Sequence, residues 1–182
     1  MSDNQRFRIP SLYKKFLLIA IVLGPVYWLM FTEDGRRRTD LVFLYLSGEP
    51  SVALDLSVLG AAATEQQLRE FLPDVQWTCE DKPTAFGARN CVARIGAFND
   101  TPAHYLVSYF DEAKSLKALK MVYRRAYHAW LLSHFTRNLG KPIGDNGGVL
   151  RWTTTRGVVL MKSEISAADP EPSMIWLAAG ER

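Results

Sequence analysis

The sequence lacks the signatures that usually identify an enzyme. It contains no G-x-S-x-G nucleophile elbow, no H-E-x-x-H helix, no phosphate-binding P-loop and no dinucleotide fingerprint. Its only two cysteines, Cys79 and Cys91, are too far apart for a thioredoxin-type C-x-x-C motif. We therefore expect no enzymatic activity and no small-molecule cofactor.

Metal-binding patterns are missing as well. The cysteine spacing lacks the close ligand pairs of structural zinc motifs, and the three histidines show no matching arrangement. The best polar cluster in the sequence combines His104, Asp111 and His134, with Glu112 and His128 as further members. This pattern is weak, because acids are ordinary in a turn such as that at Asp111, and a histidine on an apolar helix stripe is usually structural. No metal site is expected.

Outside its N-terminal residues the chain carries no net charge. The formal net charge is +3, with 22 basic and 19 acidic residues. Removing Arg6, Arg8, Lys14, Lys15 and Asp3 leaves 22 − 4 = 18 basic and 19 − 1 = 18 acidic residues. Nucleic-acid binding requires a basic surface, so the sequence does not predict a nucleic-acid partner.

Charge is absent throughout Phe16–Phe31, FLLIAIVLGPVYWLMF. A hydrocarbon core of about 30 Å requires about twenty residues at about 1.5 Å each, so this run alone is short. Thr32 extends it, while Lys14 and Lys15 can extend their ammonium groups to the headgroups and Trp28 suits a membrane interface. We predict a transmembrane anchor over residues 14–32, flanked by Lys14, Lys15 and Trp28 and kinked at Pro25.

No small-x-small cleavage site follows the apolar run, which favours a retained anchor over a cleaved signal peptide. The run is apolar on every side, which argues against a helix of a soluble protein. Four basic residues precede it and three, at 36–38, follow it, but the two lysines adjoin it directly. The positive-inside rule then predicts a cytoplasmic N-terminus, in a single-pass protein of the inner membrane whose C-terminal domain is extracytoplasmic.

Cys79 and Cys91 fall in two segments that read as neighbouring strands. A disulfide between them is geometrically simple, and in an oxidising compartment it would stabilise the fold by about 3 kcal/mol in the chain-entropy model. Two buried thiols are the alternative.

The pattern after residue 40 predicts an α+β fold, in which a largely antiparallel sheet is packed by one main helix and one short helix. The predicted organisation is a polar tail at 1–13, the anchor at 14–32, a charged linker at 33–40 and one soluble domain at 41–180. Leu41–Leu46, LVFLYL, reads as a buried strand, with a continuation of the membrane-proximal helix as the alternative.

The other elements follow from local signals. A capping box at Thr64 opens a short helix that Pro73 closes. Alternating residues predict a hairpin pairing Cys79 with Cys91, then a strand over 103–110. Residues 116–124 read as a strand, with a basic amphipathic helix as the alternative. The main helix runs from Tyr127 to Leu139 and is followed by a hairpin and a last strand at 173–178.

These features lead to one main functional hypothesis and two alternatives. The main hypothesis is a membrane-anchored extracytoplasmic binding or assembly domain that contacts another envelope or membrane protein. The first alternative is an accessory subunit whose kinked helix packs inside a larger membrane complex. The second is an envelope hydrolase that uses the histidine and carboxylate cluster.

Overall fold

The computed structural model describes residues 10–56, 59–60, 62–143, 147–166, 168–169 and 171–179. Most of the predicted tail, the glycine-rich loop at 144–146 and the last three residues lie outside these ranges. The chain divides into two compact units, Met1–Asp40 and Leu41–Arg182, which are described separately.

The first unit contains the apolar helix α1, Ser11–Phe31, which continues through Pro25. Its segment Leu12–Phe31 has a mean hydropathy of 1.7 and is long and apolar enough to cross a membrane. The side chains of this segment are exposed rather than packed into a protein core. The predicted apolar helix is therefore present, with the length that a span requires.

Helix α2, Glu33–Leu46, corrects one prediction. The predicted strand over Leu41–Leu46 is wrong: these residues extend a helix that begins in the charged segment 33–40. Thr32 caps the helix, because its Oγ1 accepts the N–H of Gly35 at 3.0 Å, and two acids in the first turn suit the positive end of the helix dipole. A short apolar run has no period that separates a strand from a helix, so the sequence pattern could not decide.

The second unit is built on nine strands in the part of the chain that is described. Their order in the sheet is β1-β4-β5-β6-β9-β8-β7, with β3 also on β5 and β2 on β3. All pairs are antiparallel except β1 with β4, which confirms the largely antiparallel sheet. The strands are β1 Ser51–Val52, β2 Trp77–Glu80, β3 Arg89–Arg94, β4 Ala97–Phe98, β5 Thr101–Phe110, β6 Leu116–Tyr123, β7 Val149–Thr154, β8 Gly157–Lys162 and β9 Ser173–Ala178.

Several local predictions are confirmed. Helix α3, Glu65–Phe71, begins with the complete capping box of Thr64 and Gln67. Residues 116–123 form strand β6 rather than a helix. The main helix is α4, His128–Leu139, preceded by a 3₁₀ turn at Arg125–Tyr127 and ended by Gly140, whose φ of 84° suits glycine.

Strand pairing places alternate residues on two faces. We call the face that packs against α3 and α4 the core face, and the opposite one the outer face. Leu131 and Phe135 of α4 belong to the buried cluster of the core face, where Phe135 contacts Trp152 with ring centroids 5.6 Å apart. One row of paired residues on the core face is Cys79, Cys91, Ser108, Leu119, Trp176, Val159 and Trp152. The neighbouring row on the outer face is Thr78, Val92, Val107, Lys120, Ile175, Leu160 and Arg151.

Candidate functional site

Three neighbouring cavities open on the outer face. The first, of about 670 Å³, lies over Thr78, Val92 and Arg94 of strands β2 and β3. The second, of about 390 Å³, shares Val92 and Arg94 with the first. The third, of about 310 Å³, lies over Leu160 and Ile175 and shares Glu171 with the second. We call these three neighbouring cavities together the outer groove.

Four of the seven residues in the outer-face row are apolar, and Lys120, between Val107 and Ile175, interrupts them. An antiparallel sheet with one solvated face normally carries polar residues there. Here Val92 is 39 % exposed, while Leu160 and Ile175 are half-buried and lie outside the buried core cluster. Apolar surface of this kind marks sites of contact with other molecules.

The rim of the outer groove carries charges of both signs. Arg94 donates to Glu49 through Nη2 at 2.8 Å. Tyr105 donates its hydroxyl proton to Glu171, and this hydrogen bond raises the pKa of Tyr105 to about 12. Arg124 adds a second guanidinium. The phenol therefore stays protonated at neutral pH, and the rim offers donors and acceptors around an apolar floor.

The structure does not bring the predicted histidine and carboxylate cluster together. His104 is exposed on β5 and lines the middle of the outer groove. Asp111 follows the other end of β5, about 23 Å along the strand, where Lys117 binds it at 2.9 Å and holds the pKa of its carboxyl below the usual range. His134 lies on α4, stacked on Trp130 with centroids 5.0 Å apart. Glu112 follows Asp111 in the exposed β5–β6 turn. These residues do not form one active site.

His128 has a structural role. It is buried, its Nδ1 lies 2.7 Å from the hydroxyl of Tyr123, and its Nε2 lies 3.1 Å from the carbonyl oxygen of Ser163. Because a carbonyl only accepts, Nε2 carries the proton and donates, while Nδ1 accepts from Tyr123. Burial raises the pKa of Tyr123, which keeps this donor protonated. Both ring nitrogens are thus committed to the fold.

Cys79 and Cys91 are direct cross-strand partners, with their sulfur atoms at disulfide distance, 2.00 Å. The Glu65 carboxylate lies beside them and is bound by Arg89 at 2.9 Å and Arg69 at 3.0 Å. Burial alone would raise the pKa of Glu65, but these two guanidinium groups outweigh it and lower that pKa. The carboxylate and both sulfurs lie close together, but the sulfurs are bonded to each other and the two arginines oppose a cation.

The predicted flanking residues lie on α1. Lys14 and Lys15 are exposed in its first turns, and Trp28 lies in its last turn, with the Arg38 guanidinium 5.8 Å from the indole centroid. They hold the positions that interfacial anchors occupy around an apolar helix.

Sequence reasoning missed the outer groove, although a signal was present. The segments VVLM of β8 and MIWL of β9 are apolar at every position, which places apolar side chains on both faces of the sheet.

Comparisons of the chain with protein families, with curated proteins and with solved structures find no match.

Proposed function

We propose that this protein is a single-pass, membrane-anchored extracytoplasmic domain that binds or assembles with another envelope or membrane protein through its outer groove. The observation that carries the proposal is the set of partly exposed apolar side chains Val92, Ile175 and Leu160 on the face of the sheet opposite to the core. A rim with both charge signs adds the polar contacts that give such a surface specificity.

A protein partner fits the outer groove better than a small molecule does. From β3 through β5, β6 and β9 to β8 the floor crosses four strand spacings, about 19 Å. Small-molecule sites are enclosed and bury most of their ligand, whereas this depression is long and open. An extended segment or a flat surface of a protein can cover its whole length.

Two features support the proposed location. Helix α1 is long and apolar enough to cross a membrane, and it lies next to the N-terminus. The Cys79–Cys91 pair at disulfide distance is typical of an oxidising compartment such as the bacterial periplasm. With the lysines before the span facing the cytoplasm, the domain would lie outside the inner membrane.

Site-directed photo-cross-linking in native membranes tests the proposed surface. A photoreactive amino acid is placed at Val92 or Leu160, with Ser133 on the exposed side of α4 as the matched control. We expect the same adduct, identified by mass spectrometry as one membrane or envelope protein, from both groove positions and not from Ser133. Charge reversal by Arg94→Glu should lower the yield of this adduct from both groove positions.

Adducts of equal yield at all three positions, or none at the groove, would contradict the proposal.

The role of the anchor is checked by deleting residues 16–31, which should abolish the adduct. His134→Ala should leave the adduct intact, since His134 lies on α4 and lines a different cavity. A loss of function in that variant with the fold preserved would favour the hydrolase alternative.

Thiol alkylation tests the compartment separately. In intact cells treated without reductant, Cys79 and Cys91 should resist a thiol reagent and become reactive only after reduction and unfolding. Rapid labelling of both residues in the folded protein would place the domain in a reducing compartment.

One observation favours the accessory-subunit alternative. Gly24 lies in the middle of α1 with no atom within 4 Å of the position that a Cβ would take, so a neighbouring helix can approach closely there. If Gly24→Leu removes a partner that the groove variants retain, α1 rather than the outer groove is the contact.

A further inference from the structure

A cavity of about 610 Å³ lies between the C-terminal half of helix α4 and the segment 51–56, which begins with strand β1. We call it the β1 cavity. It shares no described lining residue with the outer groove. Its large apolar lining residues are Val52, Leu54, Leu56, Phe135 and Leu139. A cavity of this volume with apolar walls has the size and character of a binding site.

Strand β1 stands at one end of the strand order of the described sheet, so only its edge toward β4 is paired with a strand. On that edge the carbonyl oxygen of Val52 accepts the N–H of Asn99 at 2.8 Å. The Asn99 side chain continues the pairing, because its Oδ1 accepts the N–H of Leu54 and its Nδ2 donates to the carbonyl oxygen of Leu54, both at 2.8 Å. The segment is thus held from one side as an extension of β1.

The opposite edge of this segment is open. Peptide groups alternate in direction along a strand, so those of Ala53 turn away from β4 where those of Val52 and Leu54 turn toward it. Within the described residues, no hydrogen bond reaches the N–H or the carbonyl oxygen of Ala53. All six residues of the segment 51–56 line the β1 cavity, so the open edge borders it. An unpaired strand edge is a template for a further strand.

The charge of the β1 cavity indicates what kind of strand fits. Asp55 and Asp100 are exposed on its rim, and no lysine or arginine of the described residues lines it. His134 and Asn138 complete the polar rim from α4, where the amide nitrogen of Asn138 lies 2.9 Å from Nε2 of His134. Basic side chains on the occupant complement the two carboxylates.

We propose that the β1 cavity binds an extended segment of another protein, in which basic side chains alternate with apolar ones, as a further strand on β1. The backbone of that segment pairs with Ala53, its apolar side chains lie against the walls of the cavity, and its basic side chains lie near Asp55 and Asp100. In strand addition of this kind, main-chain hydrogen bonds supply affinity and alternate side chains supply specificity. The site is a second contact surface and does not depend on the outer groove.

Thermophoresis of the full-length protein in phosphatidylcholine nanodiscs tests the proposal. The probe is a synthetic peptide in which valine alternates with lysine, titrated to millimolar concentration. Two control peptides are the same sequence with glutamate in place of lysine and the lysine peptide with N-methylated backbone amides. Nanodiscs without protein report any binding to lipid. We expect the lysine peptide to bind, and each control peptide to bind at least about tenfold more weakly.

Two substitutions at Ala53 separate backbone pairing from side-chain effects. Ala53→Pro removes the N–H on the open edge, where proline is tolerated in a strand, whereas Ala53→Ser keeps it. We expect Ala53→Pro to weaken binding of the lysine peptide at least about tenfold and Ala53→Ser to change it less than about twofold. Thermal unfolding checks that both variants fold. If Ala53→Pro does not fold, the N-methylated peptide still tests the pairing on the wild-type protein.

Asp55→Asn tests the charge and should weaken binding up to about fivefold. Its control is Glu112→Gln, which removes an exposed carboxylate in the β5–β6 turn, at the other end of β5 from Asp100, and should have no effect.

No binding of the lysine peptide, or equal binding of the N-methylated peptide, would overturn the proposal. Equal binding of the glutamate peptide would show that the occupant is not basic and would overturn it as well. If the wild-type protein is a dimer by light scattering and Ala53→Pro is a monomer, a second copy of this chain occupies the edge and the proposal is wrong.

Discussion

The two faces of the sheet are made by the same strands and differ in what covers them. On β9, Trp176 faces the core and is fully buried, whereas its neighbour Ile175 faces the outer groove and is half-buried. On β8, Val159 and Leu160 repeat this contrast. Both faces carry apolar residues, but within the described chain helices α3 and α4 pack on the core face.

This contrast separates stability from recognition. Residues of the core face gain their free energy from burial inside the protein, so changing them should affect unfolding. Residues of the outer face remain partly in water, so the free energy of covering them is available to a partner. Four variants test this division, and each is compared with its own control.

The largest effect is expected at β9. Trp176→Ala removes a fully buried indole from the core face and should lower the free energy of unfolding by about 3–5 kcal/mol. Ile175→Ala, one residue away on the outer face, should cost about 1 kcal/mol because that side chain is already partly exposed. Urea unfolding of the full-length protein in detergent measures both. Equal losses would remove the distinction between the two faces.

The disulfide should come next. Cys79→Ala together with Cys91→Ala opens a cross-link between residues 12 apart and should lower the free energy of unfolding by about 3 kcal/mol. The wild-type protein with excess reductant is the control and should lose a similar amount. Cross-linking from Val92 on the outer face should persist while the variant is folded. An unchanged stability would mean that the pair is not oxidised in the mature protein.

A smaller loss is expected at Tyr123. Tyr123→Phe keeps the ring but removes the hydroxyl that donates to His128, leaving Nδ1 buried without its partner. The expected cost is about 1–3 kcal/mol. Tyr109→Phe on the outer face is the matched control and should change stability by less than about 0.5 kcal/mol. If both variants behave alike in thermal unfolding, the hydroxyl of Tyr123 contributes nothing specific to the fold.

The smallest effect depends on pH. The pKa of Glu65 is lowered in the folded protein from its ordinary value of 4.5. Protonation of the Glu65 carboxylate therefore destabilises the folded state, because it removes the ion pairs with Arg89 and Arg69. The stabilisation is present above pH 4.5 and is lost as the pH falls through the lowered folded value. Glu65→Gln should abolish this part of the acid sensitivity, less than about 1 kcal/mol for a partly exposed group.

The control for this change is Glu70→Gln on the same helix, where the carboxylate accepts one hydrogen bond from Gln66. Its stability should follow that of the wild type between pH 3 and 6. If the Glu65→Gln curve also coincides with the wild type over this range, the ion pairs with Arg69 and Arg89 do not stabilise the fold.

Features that depend on a few adjacent residues could be predicted from the sequence. The capping box at Thr64, the register of Cys79 with Cys91 and the strand nature of residues 116–123 are all local patterns. The helical nature of Leu41–Leu46 was not readable in this way, because an apolar run of that length suits both conformations and the cap that decides it lies nine residues upstream at Thr32.

The amino-acid sequence by itself determined the apolar helix α1, the alternation of the strands and the position of the two cysteines, because each is written in spacing along the chain. Only the tertiary structure decided that β9 pairs with β6 and β8, which brings Val92, Ile175 and Leu160 onto one floor. It also decided that His134, on α4, lies away from His104 on the outer face. Strand order joins residues far apart in the chain, and no local pattern specifies which distant strands will share a face.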